Sequence, residues 1–333
     1  MQFEEILKEL QGLTTDEVAK LIAFLVPKCL PTKETYKDYY YRYYPFWEKN
    51  GFHLTLNHFY SPIPEIYKLK KELWEQPKNF NINFNENEAM ILLDEFYNKF
   101  KLEYDKIPIA KTQDPKQYYL TNEKFEGIDG YILYCMIRHF KPKRIIEIGS
   151  GNSTILSSQA CMINKEKHKI DTEIITIDPY PNEILNNGIP NVTQIIKKRA
   201  QDVSLDFFDK LEAGDFLFID SSHVLKIDSD VKYEYTEIMP RLKNGVIIHI
   251  HDIFTPAEYP KEFIYGLLFL FNEQYLVEAI LANSSNFKII WAGQFMYLNH
   301  LEKIMSVFEN YKEIKQSPRH FSSLWLQKGN INT

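Results

Sequence analysis

After residue 125, the chain alternates short apolar runs with longer helical stretches. Each run is nearly continuous in Ile, Val, Leu or Phe, which is typical of strands buried on both faces of a parallel sheet. The runs cover residues 144–149, 173–178, 192–197, 215–220, 245–252, 287–293 and 322–328. Helix-length crossovers connect most of them, which predicts an α/β fold with a doubly wound, seven-stranded and mostly parallel sheet. Ligands bind such sheets beyond the carboxyl ends of the strands, so the residues that end each run are the candidate functional residues.

Before residue 125 the hydrophobic pattern of the sequence is different and is mainly typical of helices. We predict helices over residues 4–10, 17–26 and 87–100. Thr14 and Glu17 have the spacing of a capping box for the second of these helices. Aromatic residues form 15% of the chain, and a Tyr-rich part of them lies in residues 36–60. We therefore predict an N-terminal, mainly helical domain over residues 1–124 and a sheet-containing domain over residues 125–333.

Charge and cysteine content exclude several classes of protein. The 39 basic and 45 acidic residues give a net charge of −6, whereas nucleic-acid binders usually carry a clustered positive surface. Cys29, Cys135 and Cys161 are widely spaced and odd in number, which favours a reducing cytoplasm over a disulfide framework. No Cys and His spacing is typical of a structural zinc site. We expect a cytoplasmic protein with no nucleic-acid partner, and the sequence leaves open whether it forms a homo-oligomer.

Two segments are relevant to membrane targeting, the N-terminus and the longest apolar stretch. The chain begins with acidic residues where a signal peptide needs basic ones. The longest apolar candidate, residues 265–283, contains Asn272, Glu273, Gln274 and Glu278. A membrane span needs about 20 mostly apolar residues, so we interpret this segment as a buried helix. We therefore predict no membrane span.

The first run ends in a glycine-containing turn that opens a helix. Gly149 and Gly151 permit a tight turn and a close approach of the backbone to a ligand. A nicotinamide-binding fingerprint needs a third glycine three residues after the second, where this chain has Thr154. The remaining pattern, with Glu147 two residues before Gly-x-Gly, resembles motif I of class I S-adenosylmethionine-dependent methyltransferases. In that family the turn packs against the methionine part of the cofactor, and the acidic residue helps to orient its amino group.

The ends of the next runs continue this resemblance. A carboxylate at Asp178 can accept hydrogen bonds from both ribose hydroxyls. Gln201 and Asp202 follow the third run, where the methyltransferase family usually places an adenine contact. The cofactor-binding residues that we predict are Glu147, Gly149, Ser150, Gly151, Asn152, Ser153, Asp178, Gln201, Asp202 and Asp220.

The fourth and fifth runs end in acidic residues and histidines. Neighbouring strands lie about 4.8 Å apart, so Asp220 and Asp252 could converge on one cation or on one substrate hydroxyl. His251 lies at the mouth of the sheet, and His223 lies in the loop three residues after Asp220. His249 lies deeper on the same strand, and we interpret it as a hydrogen-bonded core residue.

A closer resemblance covers most of residues 50–296. It is to a bacterial class I methyltransferase family that is often encoded near glycan or natural-product genes, with acceptors that are mostly unassigned. The residues that carry it lie at 51–55, 58–64, 218–223, 249–254, 259–260 and 272–275. The layout of the fourth and fifth strands is also similar to metal-dependent sugar and catechol O-methyltransferases. This chain differs from them in having His251, and magnesium prefers oxygen ligands, so either the metal differs or His251 acts as a base.

These resemblances imply an S-adenosylmethionine-dependent enzyme that methylates a hydroxyl of a sugar, a polysaccharide precursor or a related small molecule. We predict that His223 or His251 is the general base, and that Asp220 and Asp252 orient it or bind a divalent metal ion. The candidate metal ligands are Asp220, Asp252 and His251. The candidate acceptor-binding residues are Tyr44, His53, His58 and Tyr60, whose rings could instead pack the N-terminal helices onto the sheet.

Two other functions stay open at this level. The same fold could support N-methylation or metal-dependent oxidative chemistry. A non-catalytic protein that binds S-adenosylmethionine or takes part in assembly is the alternative from a different class. The intact glycine turn and the polar strand ends favour an enzyme.

Overall fold

The structure is a computed structural model that describes residues 8, 10–30, 41, 43–55, 57–75, 77–78, 81–315 and 317–329. The chain divides into two compact units, Met1–Leu69 and Lys70–Thr333. The domain boundary that we predict after residue 124 differs from this division and stays a prediction.

A seven-stranded sheet forms the centre of the larger unit. Its spatial order is β3-β2-β1-β4-β5-β7-β6, and only β7 runs antiparallel to its neighbours. The strands are β1 (Arg144–Ile148), β2 (Glu173–Ile177), β3 (Val192–Ile196), β4 (Phe216–Ile219), β5 (Ile247–Ile250), β6 (Phe287–Ala292) and β7 (Leu324–Lys328). Each lies inside one of the seven apolar runs, so the predicted strands and the doubly wound, mostly parallel sheet are confirmed.

Helices connect the strands and cover both faces of the sheet. The helices of the larger unit are α3 (Glu86–Tyr104), α4 (Gly127–Phe140), α5 (Asn152–His168), α6 (Glu183–Asn186), α7 (Asp230–Tyr233), α8 (Met239–Arg241), α9 (Glu273–Asn283) and α10 (Gly293–Val307). Short π-helical turns occur at Glu234–Ile238 and Glu262–Gly266. Helix α3 confirms the helix predicted over residues 87–100.

The two faces of the sheet pack into two separate apolar clusters. On β1, Ile145 joins the cluster that includes α4 and α5, and Ile146 joins the cluster on the opposite face. This alternation follows from the period of two along a strand. Because both faces are covered, polar groups can meet a ligand mainly where the strands end.

The strand order reverses between β1 and β4, which both pair in parallel with the strands beside them. This is the switch point of a doubly wound sheet, where a crevice opens beyond the carboxyl ends of the strands. Strands β4 and β5 are also direct neighbours, with Phe218 opposite His249. The sequence-based prediction that Asp220 and Asp252 follow adjacent strands is therefore confirmed.

The prediction of one buried helix over residues 265–283 is wrong in its first half. Helix α9 begins only at Glu273, and Leu267, Leu268 and Phe269 are exposed in the preceding loop. Asn272 and Glu273 bind the loop after β4 instead of continuing a helix towards residue 265. None of the helices in the described part of the chain combines the length and apolar character that crossing a membrane requires.

The smaller unit contains α1 (Thr15–Cys29) and α2 (Tyr44–Lys49). Helix α1 confirms the helix predicted over 17–26, and the capping box of Thr14 and Glu17 is present. The predicted helix over 4–10 lies largely outside the described residues.

Candidate active site

Two adjoining cavities open at the switch point. The first has a volume of about 580 Å³, and its lining includes the carboxyl ends of β1, β2 and β4. The second, of about 340 Å³, is lined by the start of α5 and by residues that follow β4 and β5. Ser150 and Asp220 line both cavities, so a ligand of the first cavity can reach into the second.

The glycine turn after β1 brings two strand ends very close together. Gly149 has a φ of +98°, and its N–H donates to the carbonyl of Ile177 at 2.9 Å. A Cβ atom at this position would lie 2.1 Å from the backbone oxygen of Asp220. Glycine is therefore required here both for the backbone conformation and for the approach of Asp220.

Asp178 lines the first cavity with a fixed carboxylate. Its Oδ2 accepts a hydrogen bond from the Ser150 hydroxyl at 2.5 Å, and its Oδ1 accepts one from the Tyr180 N–H at 2.7 Å. Each carboxylate oxygen keeps a further lone pair for a ligand hydroxyl. The position fits the predicted contact to ribose, and this role stays a prediction.

Glu147 lies behind the turn and is not among the residues that line either cavity. Its carboxyl group is 1% exposed and accepts hydrogen bonds from the hydroxyls of Ser153 at 2.5 Å and Thr154 at 2.7 Å. Burial raises the pKa of Glu147 to about 8, so the group is mostly protonated at neutral pH. The structure thus places Glu147 where it holds the start of α5.

The loop after β3 separates two residues that the sequence grouped together. Gln201 lines the first cavity, and its amide donates to the carbonyl of Asp228 at 2.6 Å. Asp202 does not line that cavity, because its carboxylate binds the Arg199 guanidinium at 2.8 and 2.9 Å. Gly151, Asn152 and Ser153 line the second cavity.

His223 is surrounded by three carboxylates. Its Nδ1 lies 2.8 Å from Glu273 Oε2, and its Nε2 lies 3.3 Å from Asp220 Oδ1 and 3.9 Å from Asp252 Oδ2. Burial alone lowers the pKa of His223, but the contacts with Asp220 and Glu273 reverse this effect and raise it well above the ordinary value. The ring is therefore held as an imidazolium, which cannot accept a further proton.

His251 is the histidine that reaches the second cavity. It is 6% exposed, its Nε2 lies 3.8 Å from Asp252 Oδ1, and its ring centroid lies 4.8 Å from that of Phe125. Its Nδ1 has no hydrogen-bond partner among the described residues. His251 therefore lacks the close carboxylate contacts that hold His223.

His249 is a core residue, as predicted, but it is not hydrogen-bonded. Its ring stacks on Phe218 with centroids 4.0 Å apart, and within the described chain neither nitrogen has a partner. Burial lowers the pKa of His249 well below the usual range, with a further contribution from His251. The ring is thus neutral and packs as an aromatic side chain, which corrects the hydrogen-bonded interpretation.

The two acidic residues have different surroundings. Burial raises the pKa of Asp220, but the neighbouring His251 and His223 outweigh it and lower the pKa to about 2. Asp252 has a φ of +54°, and its two oxygens face different histidines. Asp220 is thus firmly ionised, and Asp252 lies between His223 and His251.

Sequence reasoning missed the residues that hold this arrangement. Glu273 binds His223, and the N–H groups of Asn272 and Glu273 lie 3.1 and 3.3 Å from the His223 carbonyl oxygen. The Gln274 side chain accepts a hydrogen bond from the Phe254 N–H at 2.7 Å, which fixes the loop after β5. The start of α9 therefore positions both the loop after β4 and the loop after β5. Residues 272–275 stood out in the sequence only as part of a resemblance.

The residues predicted to bind a metal lie at the ends of β4 and β5. The described residues contain no group of three or more His, Cys, Asp and Glu side chains arranged to hold an ion. His223 Nε2 faces both carboxylates, at 3.3 Å from Asp220 Oδ1 and 3.9 Å from Asp252 Oδ2. The assignment of Asp220, Asp252 and His251 as metal ligands stays a prediction.

The predicted acceptor-binding residues lie in the smaller unit. The rings of Tyr44 and His53 stack with centroids 5.3 Å apart, and the Tyr60 N–H donates to His58 Nδ1 at 3.0 Å. The structure thus brings these residues together in two pairs. Their assignment to the methyl acceptor stays a prediction.

Comparison with known proteins defines the class of this site. Residues 146–253 match a family model described as a methyltransferase domain. The chain is therefore an S-adenosylmethionine-dependent methyltransferase. An uncharacterized protein of Archaeoglobus fulgidus is 32% identical over 164 residues, which cover 46% of this chain and 72% of that protein. The chain belongs to the same family as this archaeal protein.

Two solved methyltransferases also align with the chain at low identity. The methyltransferase PaMTH1 of Podospora anserina, solved with S-adenosylhomocysteine, is 16% identical, with 73% of this chain and 88% of that chain covered and a TM-score of 0.32. The plantazolicin methyltransferase BamL, solved with a triazolic desmethylPZN analog and S-adenosylhomocysteine, is 16% identical. The match covers 74% of this chain and 97% of that chain, with a TM-score of 0.36.

Proposed function

We propose that the enzyme methylates a hydroxyl group of a sugar, a polysaccharide precursor or a related small molecule, with His251 as the general base. The proposal rests on one observation, the different surroundings of the two candidate bases, His223 and His251. Nδ1 and Nε2 of His223 lie 2.8 and 3.3 Å from carboxylate oxygens, whereas His251 lines the second cavity and lies 3.8 Å from Asp252 Oδ1. The carboxylates around His223 raise its pKa well above the ordinary value, so this ring already holds its second proton, which favours His251 as the base.

The first cavity suits the nucleoside part of S-adenosylmethionine. Asp178 offers fixed carboxylate oxygens for ribose hydroxyls, and Gln201 lies on the same lining for the base. The methionine part would then lie beside Ser150, where the two cavities meet. When bound, S-adenosylmethionine supplies a methyl group activated by the sulfonium.

The chain's own residues then account for the activation of the acceptor. His251 takes the proton of the acceptor hydroxyl while the oxygen forms a bond to the methyl carbon and the carbon–sulfur bond breaks. Asp252 stabilises the imidazolium that forms on His251, since its Oδ1 lies 3.8 Å from Nε2. Asp220 adds negative charge at the junction of the cavities, which favours a cationic donor.

Turnover tests the reaction type. Formation of S-adenosylhomocysteine should require a hydroxyl-bearing acceptor such as a free sugar or a nucleotide sugar. An amine panel provides the test of N-methylation, which is the second candidate because a histidine base can also deprotonate an ammonium group. Turnover with the amines alone would contradict the proposal.

Binding without any turnover would favour the non-catalytic alternative. Calorimetry with S-adenosylmethionine therefore precedes the acceptor panel. Binding by the wild-type enzyme and weaker binding by Asp178→Asn would locate the donor in the first cavity, independently of any acceptor.

A further inference from the structure

We infer that Lys124 binds an acidic group of the methyl acceptor, so that the acceptor is a hydroxyl compound that carries a carboxylate or a phosphate. The inference rests on the proposed function, which makes the second cavity the acceptor site. In this arrangement Lys124 selects the acceptor by its charge, and Asn122 positions Lys124.

The second cavity carries opposite charges on different parts of its lining. Asp220 and Asp252 follow strands β4 and β5, whereas Lys124 lies in the loop before α4. Among the described residues, Lys124 is the one Lys or Arg that lines this cavity. Its ammonium group makes no hydrogen bond or ion pair with another described residue. The positive charge of Lys124 is therefore available to a ligand of the cavity.

Asn122 fixes the backbone from which the Lys124 side chain extends. The side-chain oxygen of Asn122 accepts hydrogen bonds from the N–H groups of Lys124 at 3.1 Å and Phe125 at 2.9 Å. Its amide nitrogen donates to the carbonyl oxygens of Tyr119 and Phe125, both at 2.7 Å. Asn122 is buried, so water does not readily replace these bonds. The loop before α4 is therefore held in one conformation.

The same side chain joins this loop to the turn that follows β1. The Asn122 oxygen also accepts a hydrogen bond from Asn152 Nδ2 at 2.9 Å. Asn152 is the first residue of α5 and lines the second cavity. Asn122 thus fixes the loop that carries Lys124 relative to the start of α5.

Phe125 fixes the loop relative to the proposed base. Its ring is buried, and its centroid lies 4.8 Å from that of His251. The Phe125 carbonyl oxygen accepts a hydrogen bond from the Tyr118 hydroxyl at 2.7 Å, in addition to the one from Asn122. Lys124 and His251 therefore line one cavity from two elements that pack directly against each other.

This layout of charges orients an acidic acceptor. A carboxylate or phosphate is repelled by Asp220 and Asp252 and attracted by Lys124. A hydroxyl group of the same molecule is uncharged and can approach His251. The acceptor is thus held with its hydroxyl at the strand ends and its acidic group at the loop before α4.

The carboxylate of S-adenosylmethionine has another partner in the site. The first turn of α5 presents backbone N–H groups and the positive end of the helix dipole to an anion. This turn follows Ser150, where the two cavities meet, whereas Lys124 lines only the second cavity. The donor carboxylate would therefore lie at the start of α5, which leaves Lys124 to the acceptor.

The test is calorimetry on the whole chain saturated with S-adenosylhomocysteine, with glucuronate, glucose 6-phosphate and glucose as probes. We expect the wild type to bind one of the two acidic probes about tenfold or more tightly than glucose, and the stronger of the two identifies the acidic group. Lys124→Met should weaken the binding of that probe by about 10- to 100-fold, and Lys124→Arg should keep most of the affinity. Lys111→Met is the matched control, because Lys111 is exposed and lines neither cavity.

A wild type that binds neither acidic probe more tightly than glucose would overturn the inference. An unchanged affinity of Lys124→Met for the acidic probe would also overturn it. A loss of about tenfold or more in the affinity of Lys124→Met for S-adenosylmethionine would assign Lys124 to the donor carboxylate and overturn it as well.

A double variant tests the positioning role of Asn122. Asn122→Ala should weaken the binding of the acidic probe by about tenfold. Added to Lys124→Met, the same change should have little further effect, because Asn122 acts through Lys124. Additive losses would contradict the positioning role. The Lys124 variants alone decide the inference if Asn122→Ala does not fold.

These results separate the inference from the proposed function. The binding of the probes needs no methyl transfer, so it can be measured whether or not a hydroxyl is methylated. Selective binding of an acidic probe by an enzyme that methylates no hydroxyl would contradict only the proposed function. Methylation of neutral and acidic sugars at equal rates would overturn only the role of Lys124.

Discussion

His223 Nδ1 lies 2.8 Å from Glu273 Oε2 in the buried wall of the active site. The two residues are fifty positions apart in the sequence, and the contact ties the loop after β4 to the first turn of α9. Because this contact holds one histidine against a buried carboxylate, we propose the other, His251, as the general base. Glu273 therefore holds the loop after β4 in place, a role that its position in the first turn of a helix does not indicate.

His251→Ala should lower kcat by about 10²–10⁴-fold, since it removes the group that accepts the proton. Affinity for S-adenosylmethionine, measured by calorimetry, should change little because His251 lines only the second cavity. His249→Phe is the matched control on the same strand, and it should keep most of its turnover because His249 makes no hydrogen bond in the described chain. A loss below roughly tenfold in His251→Ala would rule it out as the base.

Asp178→Asn should weaken the binding of S-adenosylmethionine by about 10- to 100-fold, because a hydrogen bond to a charged group contributes about 1.5–3 kcal/mol. The dissociation constant from calorimetry is the readout. Asp202→Asn provides the control, since Asp202 binds Arg199 and does not line the cavity. Equal losses in both variants would contradict the assignment of the first cavity to the nucleoside.

Glu147→Gln should become more stable relative to the wild type as the pH rises from about 4.5 to 8. The pKa of Glu147 is about 8 in the folded protein and near 4.5 when unfolded, so the folded state holds the extra proton in this range. Wild-type stability therefore falls with increasing pH, by about 1.4 kcal/mol per unit at most, and the glutamine variant lacks this loss. Urea unfolding at several pH values measures the free energy of unfolding of both proteins. A difference between them that does not change with pH would contradict a buried, protonated Glu147.

Gly149→Ala should destabilise the enzyme by about 1–3 kcal/mol and weaken cofactor binding. The added Cβ would lie 2.1 Å from the backbone oxygen of Asp220, in a left-handed conformation that alanine disfavours. Gly151→Ala is the comparison, because its Cβ meets no atom within 4 Å. Thermal unfolding and calorimetry of the two variants test this, and a Gly149→Ala variant as stable as Gly151→Ala would refute the close approach.

The sheet could be predicted from the sequence because its strands are buried on both faces and therefore leave continuous apolar runs. The same reasoning located the strand ends, and Asp220 and Asp252 do follow adjacent strands. The prediction of a buried helix over residues 265–283 was wrong in its first half because some of these apolar residues lie in an exposed loop. A run of apolar residues does not show whether other parts of the chain pack over it.

The roles of the polar residues were less predictable because they depend on distant partners. Asp202 and Gln201 are neighbours in the sequence, yet only Gln201 lines the cavity, since Arg199 binds Asp202. The charge state of His223 depends on Glu273, which no local pattern connects to it. The periodicity and spacing of residues in a sequence reflect local geometry, whereas the protonation of a side chain depends on the groups that the fold places beside it.

The most direct test of the central claim is to follow the methyl group itself. S-adenosylmethionine labelled with carbon-13 in the methyl group, an accepted hydroxyl compound and either the wild type or His251→Ala would be compared by NMR of the product. The account predicts a labelled methyl group bonded to oxygen with the wild type, and formed at a rate about 10²–10⁴-fold lower with the variant. A methyl group bonded to nitrogen, or an unchanged rate in His251→Ala, would contradict it.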